Sequence, residues 1–338
     1  MFKLFEIKKD DYNYSVKLLG IKFKVRSLAL VVKTLKLLKA ELKHSTLPPA
    51  IYMADLTKEQ KLRYLSNKFY EEVGYYPNLK NPRSFNEKIN WMKSNYYNPL
   101  EQRCIDKYEF KGYIKEVLGD GFTIPLIGVY DDVNDIDFDS LPDKFVIKST
   151  ASGSAQGVKI VKDKKKLDID KLKYEFNSLL QEWNTIYYYC LSRGYKDIKP
   201  RIIIEEFVEQ KDSQLFDYKF MCFAGKPRWV LVCSNRGTKI SYENYDMDWN
   251  LIIPSPKSAK KSTIPKPRNF DEMVKIAEKL SVPFPFVRVD LYEVKNKIFV
   301  GELTFTPKGG FNNYYREWDK KAGEWLDLKA LETEFVCK

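Results

Sequence analysis

Phe286-Val-Arg-Val-Asp-Leu-Tyr292 and Ile298-Phe-Val-Gly-Glu-Leu-Thr304 are two short apolar runs separated by a tight turn over residues 294–297. Their lengths and the polar turn predict an antiparallel β-hairpin. Asp290 and Glu302 are equidistant from residue 296, so the pairing sets them opposite one another. Like charges facing across a ladder destabilise it unless a cation lies between them. Two cations fit. A Mg²⁺ or Mn²⁺ ion bound with a nucleotide's phosphates suits two oxygen donors on a rigid hairpin. Alternatively, Arg288 on the same strand compensates the pair at the surface.

Working upstream, three further segments set polar residues at the ends of apolar strands. Lys144-Phe-Val-Ile-Lys148 runs into Ser149-Thr-Ala-Ser-Gly-Ser-Ala-Gln-Gly157, a small-residue loop that includes Ser152. A lysine leaving a buried strand beside hydroxyls and backbone N–H groups is a phosphate cradle, or simply a solvated strand end. In Ile202-Ile-Ile-Glu-Glu-Phe-Val208 two acids close an apolar strand, either as a clamp for a base and ribose or as a strand entering solvent. In Asp217-Tyr-Lys-Phe220 the acid and the lysine share one strand face.

Between these segments the periodicity switches. Thr57 to Gln60 and Ser84 to Glu87 read as capping boxes opening helices. Further helices are expected over 108–118, ending at Gly119, over 169–191, and over 269–280 with Asn269 as cap. Strands are expected at 124–130, 145–148, 158–161, 201–207, 218–223 and 228–233, the last two joined by Ala224-Gly225-Lys226-Pro227. Helices and antiparallel strands in mixed order argue for an α+β fold. Residues 1–50 stand apart. Residues 14–20 and 21–25 alternate as a small hairpin. Leu28, Val31, Val32, Leu35, Leu38 and Leu42 then recur at helical spacing among lysines. Such a basic amphipathic helix either packs on its own domain or lies on a membrane surface. Leu47-Pro48-Pro49 reads as a linker.

Composition narrows the chemistry. The 338 residues are 44% hydrophobic and 31% charged, which supports a folded chain with a sizeable core. The net charge of +12 suits anionic partners. Eleven of the basic residues and four acids fall within residues 1–45, a net of +7, without the aromatic-basic repeat of a nucleic-acid binder. The single histidine, His44, argues against Ser-His-Asp, Cys-His and multi-histidine metal sites. Five cysteines without C-x-x-C spacing fit free thiols in a reducing compartment. With no signal peptide and no long apolar run, a cytoplasmic protein is expected. The phosphate-binding signatures G-x-x-x-x-G-K-[ST] and G-x-G-x-x-G after a strand are absent.

Taken in order, Lys107, Lys148 with its loop, Glu205-Glu206-Phe207-Val208, Asp217-x-Lys219, Arg288-x-Asp290 and Glu302-x-Thr304 resemble an ATP-grasp enzyme. Residues 145–148, 200–207, 217–223, 285–290 and Gly301-Glu-Leu-Thr-Phe-Thr-Pro307 resemble the TupA-like, teichuronopeptide-biosynthesis branch found with surface polysaccharides. The resemblance runs from about residue 56 to 328. It implies two α+β subdomains clasping ATP: a helical region at 51–143, a lid at 144–206 and a metal- and substrate-binding subdomain at 207–338. The N-terminal hairpin and helix of residues 1–50 precede them.

Carried over residue by residue, the resemblance gives Lys107, Lys148 and Ser152 to the ATP phosphates. It gives Glu205, Glu206 and Val208 to the adenine hinge, and Asp217 to the ribose. Asp290, Glu302 and Thr304 become Mg²⁺ ligands, with Thr304 standing where most ATP-grasp enzymes have asparagine. Lys219, Arg236 and Arg288 fall near the transferring phosphoryl group. Two departures stand out: the loop 149–157 has two glycines where relatives carry a His-Gly-Ser-Gly-Gly-type run, and Lys308 interrupts a common triple glycine. The implied reaction is an ATP- and Mg²⁺-dependent carboxylate–amine ligation through an acyl-phosphate, on a uronic acid or amino acid of a surface glycan precursor.

Three other readings compete. An ATP-grasp phosphotransferase differs only in its acceptor. Asp246-Met-Asp248 and Asp137-Phe-Asp139 match the D-x-D triplets of sugar-nucleotide glycosyltransferases. A non-catalytic basic scaffold would use residues 1–45 to meet a membrane.

Overall fold

The computed structural model describes strands over residues 5–10, 13–18 and 21–25, and then residues 57–152, 157–181, 191–196, 198–208, 216–234 and 240–332. The expected helix over residues 28–42 and the 47–49 linker lie outside the described residues, as does Arg236. The N-terminal strands β1 (Phe5–Asp10), β2 (Asn13–Leu18) and β3 (Ile21–Val25) form an antiparallel sheet. The expected hairpin is β2–β3; β1 adds a strand that the sequence pattern did not separate.

Two larger antiparallel sheets position the site. The first has the order β4-β7-β5-β6, from β4 (Leu126–Tyr130), β7 (Ile202–Glu206), β5 (Phe145–Ser149) and β6 (Val158–Val161). Alternation decides its faces. Phe145, Ile147, Ile202 and Ile204 join Leu172 and Phe176 of α5 (Ile169–Gln181) in one core. The intervening residues Lys148 and Glu205 therefore point to the opposite face. Because β4 pairs with β7, this sheet draws a strand from before residue 144.

The second sheet runs β11-β10-β9-β8-β12-β13, with β8 (Asp217–Phe223), β9 (Lys226–Ser234), β10 (Ser241–Tyr245), β11 (Leu251–Ile252), β12 (Phe286–Val294) and β13 (Lys297–Thr304). Both faces are covered, which explains why its central strands read as nearly unbroken apolar runs. Tyr218, Phe220, Cys222, Val287, Val289 and Leu291 pack toward α6 (Phe270–Ser281) and α4 (Glu109–Leu118). Met221, Phe223 and Phe286 pack toward α2 (Phe85–Asn95) and Ala322 of α7 (Arg316–Glu324). Both capping boxes form, at α1 (Lys58–Val73) and at α2. Asn269 precedes α6 without a side-chain cap bond. Ala224 and Gly225, both with positive φ, turn the β8–β9 hairpin. Cys104, Cys222 and Cys233 are buried. Among the described residues no helix is long and apolar enough to cross a membrane.

Candidate active site

The second sheet gathers charge on one end of one face. Asp217 and Lys219 of β8, Arg288 and Asp290 of β12, and Glu302 and Thr304 of β13 alternate with core residues. Cross-strand register puts Asp290 opposite both Lys219 and Glu302. The β12–β13 hairpin turns on Lys295 and Asn296, both with positive φ, which centres the turn half a residue before 296. That offset alone would pair Asp290 with Gly301 and turn Glu302 to the other face. A bulge in the pairing beyond Asp290 absorbs the extra residue: Leu291 pairs with Val300, while Asp290 pairs with Glu302. Gly301 suits that place, since a Cβ there would crowd the Tyr292 ring at 3.2 Å.

The cation between the two carboxylates is Arg288. Its Nε donates to Asp290 Oδ1 at 2.6 Å, and its Nη2 donates to Asp290 Oδ2 at 2.7 Å and Glu302 Oε1 at 2.9 Å. Lys219 lies between Asp290, its direct partner, and Asp217 at 2.7 Å. Burial pushes Asp290 above the usual carboxylate range against the pull of Arg288 and Lys219. Glu302 is half-exposed at the rim, and the Thr304 hydroxyl donates to its Oε1 at 2.6 Å. Its desolvation is outweighed by Arg288, then by Lys219, Thr304 and Lys107, which hold it down to about 2. Among the described residues no group of three His, Cys, Asp or Glu side chains is arranged to hold a metal. Two hard oxygen donors at facing positions do fit Mg²⁺, which keeps several waters and completes its shell with phosphate oxygens.

The first sheet supplies the opposing charge. Glu205, buried on β7, pairs with Lys148 of β5 and with Lys111 of α4 at 2.5 Å. Burial would raise Glu205, yet Lys148 and Lys111 together bring it below the usual carboxylate range. Its backbone lies in ladders with both Val146 and Leu126, so its contribution here is its carboxylate; the free strand end comes two residues later. Glu206 is exposed. Val208 and Tyr292 each pack on the buried cluster of Ile124, Val294 and Phe299.

Lys107, half-buried, donates to the Ser152 carbonyl. Burial pushes its ammonium down to about 8, with Glu302 opposing and Lys148 adding to the effect. Burial, Glu205 and Asp217 together push the Tyr292 hydroxyl up. The two sheets' polar residues thus converge. Ser152 Oγ donates to the Ser149 carbonyl at 3.2 Å, and a Cβ on Gly157 would lie 1.7 Å from that Oγ, so a side chain at 157 would displace Ser152.

Sequence reasoning missed Lys111, four residues beyond Lys107, which nothing in the local sequence sets apart from other helical lysines. It also missed the α2 residues that pin the loop after Thr304. Asn90 donates to the Gly310 carbonyl at 2.7 Å, and Lys93 to that of Gly309. Lys308 itself adopts φ 50°, keeping the left-handed backbone of the glycines beside it. Both D-x-D triplets are local turns. Asp246 accepts from the backbone of Asp248 and Asn250, and Asp137 from that of Asp139 and Ser140.

Comparison with known proteins adds the following. Among solved structures, the D-alanine–D-alanine ligase of Bacillus anthracis is 16% identical, with 83% of this chain and 96% of that one covered and a TM-score of 0.45. The Helicobacter pylori ligase is 17% identical, covers 66% of this chain and has a TM-score of 0.36. The N5-carboxyaminoimidazole synthetase of Staphylococcus aureus is 13% identical, covers 60% of this chain and has a TM-score of 0.33. The chain spans 60% of the length of the H. pylori ligase and 45% of the S. aureus synthetase. No curated protein matches by sequence. The family model described as TupA-like ATPgrasp matches residues 87–327, which takes in both large sheets and each described polar residue named above. The chain belongs to the TupA-like ATP-grasp family.

Proposed function

We propose that this ATP-grasp enzyme is an ADP-forming carboxylate–amine ligase acting on a uronic acid or amino acid of a cell-surface glycan precursor. The observation that carries the reading is the paired geometry of Asp217, Lys219, Arg288, Asp290 and Glu302 on one sheet face, opposite Lys107, Lys148 and Glu205. ATP phosphates would take Lys107 and Lys148, the latter oriented by Glu205. The base would lie against Val208 and Tyr292, and Asp217 would accept from the ribose. Asp290 and Glu302, with Thr304 at the rim, would hold Mg²⁺ or Mn²⁺, which supplies neutralisation of phosphate charge when bound.

In the reaction, a substrate carboxylate oxygen forms a bond to the γ-phosphorus as the bond to the β–γ bridging oxygen breaks, giving an acyl-phosphate and ADP. The amine then attacks the acyl carbon, phosphate departs with its electron pair, and the nitrogen loses a proton. Lys219 and Arg288 would stabilise charge on the moving phosphoryl group, which is where most catalysis of this kind arises. Arg236 is proposed in the same role. No histidine is needed, in keeping with the single His44. The turn geometry of both D-x-D triplets weighs against a glycosyltransferase. Mass analysis of products from ATP with paired uronic-acid and amine libraries tests the reading. ADP with an amide supports it, whereas a phosphorylated acceptor shows a phosphotransferase and no turnover points to a scaffold.

A further inference from the structure

Four polar side chains are buried where α2, α7 and the loop after β13 meet: Asn86 and Asn90 of α2, Asp319 of α7 and Asn312 of the loop, each at most 5% exposed. Phe85, Ile89 and Ala322 of the same helices belong to an apolar core. Apolar side chains of similar shape would join these helices without desolvating amides and a carboxylate, so stability alone does not call for a polar row. Asp319 Oδ1 accepts from the Asn86 backbone N–H at 3.0 Å. That N–H lies in the first turn of α2, where it has no acceptor within the helix and an anion is favoured. In return, Lys88 of α2 donates to the Gly323 and Leu326 carbonyls at the end of α7, at 2.7 and 2.6 Å. A Cβ on Gly323 would lie 2.1 Å from the Arg83 carbonyl oxygen, so the two helices meet backbone to backbone. α2 is thereby a rigid rail.

The same row grips the loop. Asn86 Nδ2 donates to the Asn312 carbonyl at 2.8 Å, and Asn86 Oδ1 accepts from the Asn312 backbone N–H at 3.0 Å and from its Nδ2 at 3.1 Å. Asn312 Nδ2 also donates to the Pro307 carbonyl at 3.1 Å, and Asn90 Nδ2 to the Gly310 carbonyl at 2.7 Å. Between these anchors Lys308, Gly309 and Gly310 run consecutively through the left-handed region, with φ of 50°, 64° and 76°. A left-handed run does not sustain itself in a chain of L-residues, least of all with a lysine in it. Such backbone persists where the surroundings over-determine it, and it gathers at functional sites. This loop follows β13 directly after Thr304, two residues beyond Glu302. The groups proposed for ATP come from other segments, which leaves the loop for the second substrate.

We propose that Asn86, Asn312 and Asp319 are positioning residues for the carboxylate substrate: through the loop after β13 they set where that substrate lies beside Glu302 and Thr304, and ATP affinity does not depend on them. The proposal rests on the ligase reading for the identity of that substrate, but its first readout needs no turnover. Asn312→Leu keeps much of the volume and removes both Nδ2 bonds. Gly310→Ala leaves the polar row in place but sets a Cβ 2.9 Å from Asn90 Nδ2 and Ile89 Cγ2 at a positive φ. In both variants of the full chain, amide exchange over residues 306–312, read by mass spectrometry, is expected to be about tenfold or more faster, with calorimetric ATP affinity within about twofold of the parent. Asp319→Leu is expected to behave in the same way, and Asp319→Asn, which keeps an acceptor for the Asn86 N–H, to restore slow exchange. With the uronic acid and amine that yield an amide, Asn312→Leu should lower kcat/KM for the carboxylate about tenfold or more while the KM for ATP stays within about twofold. Unchanged exchange in both Asn312→Leu and Gly310→Ala overturns the proposal. So does a loss of ATP affinity in step with faster exchange, or an equal kinetic loss for both substrates. Absence of any amide, with the exchange and ATP results as expected, overturns the ligase reading and leaves the positioning of the loop standing.

Discussion

Asp290→Asn and Glu302→Gln should separate stability from turnover. Opposed carboxylates on a bare hairpin would suggest that removing either charge relieves repulsion. The geometry reverses that expectation for Asp290. Its carboxylate is buried and holds Arg288 through two bonds as well as Lys219, and those two side chains are only 15% and 13% exposed. Removing one partner of a buried pair costs ~3–5 kcal/mol when the other is stranded. Here Arg288 keeps Glu302, Lys219 keeps Asp217, and asparagine retains one acceptor oxygen. The expected cost is therefore about 2–3 kcal/mol, or a fall in melting temperature of about 4–10 °C. Glu302 is half-exposed, so Glu302→Gln should cost at most ~1 kcal/mol. Both variants should lose ADP release by about a hundredfold or more. Differential scanning fluorimetry beside a coupled ADP assay reads both quantities. Asp290→Asn melting within a degree of wild type would falsify the ionised-pair argument, because a carboxyl kept neutral by burial loses little on becoming an amide. Wild-type turnover in either variant would remove the metal assignment.

Other outcomes follow from individual groups. Lys148→Ala should raise the KM for ATP more than that of the acceptor, since its ammonium meets phosphate in ground and transition states alike; steady-state kinetics with both substrates varied checks this. Lys107 has a folded value lowered to about 8, so the protein gains stability as pH rises from there toward 10.5, while kcat/KM for ATP should fall over the same range. Lys107→Gln should flatten that alkaline limb in a pH–rate profile. Glu101 is pushed up to about 8 by burial, and its Oε1 has no partner. Its contribution is present below the ordinary value of 4.5 and lost as pH climbs through 8, so Glu101→Gln should stabilise by ~1–3 kcal/mol at pH 8 and little at pH 4, measured by urea unfolding. Residues 1–45, with +7 of the +12 charge, should give salt-sensitive binding to anionic vesicles that is lost on their deletion while ATP turnover persists. Equal co-sedimentation of both forms would refute that anchor.

What could be read from the chain and what could not divides on physical lines. Strands buried on both faces tolerate charge only where the charge is compensated, so Asp217, Lys219, Arg288, Asp290 and Glu302 stood out against their apolar neighbours without any knowledge of the fold. Both helix starts were legible because a capping box is a contact between residues three apart. The bulge was not. Gly301 hints at one, but only the left-handed pair Lys295-Asn296 fixes the turn's centre and so demands the extra residue that brings Glu302 round. Strand β10, Ser241-Tyr-Glu-Asn-Tyr245, has no apolar run; its Glu243 is buried by bonds to Thr263 and Tyr245, partners set by tertiary structure. Lys111 shows the same limit from the other side. A lysine on a helix has an ordinary surface explanation, and only the close approach of Glu205 changes what it does. Arg288 bridges the two carboxylates now, yet a nucleotide-bound metal at the same carboxylates would compete for them. The guanidinium would then be displaced toward the phosphoryl group it is proposed to stabilise, so one residue balances the ligand-free ladder and serves the loaded site.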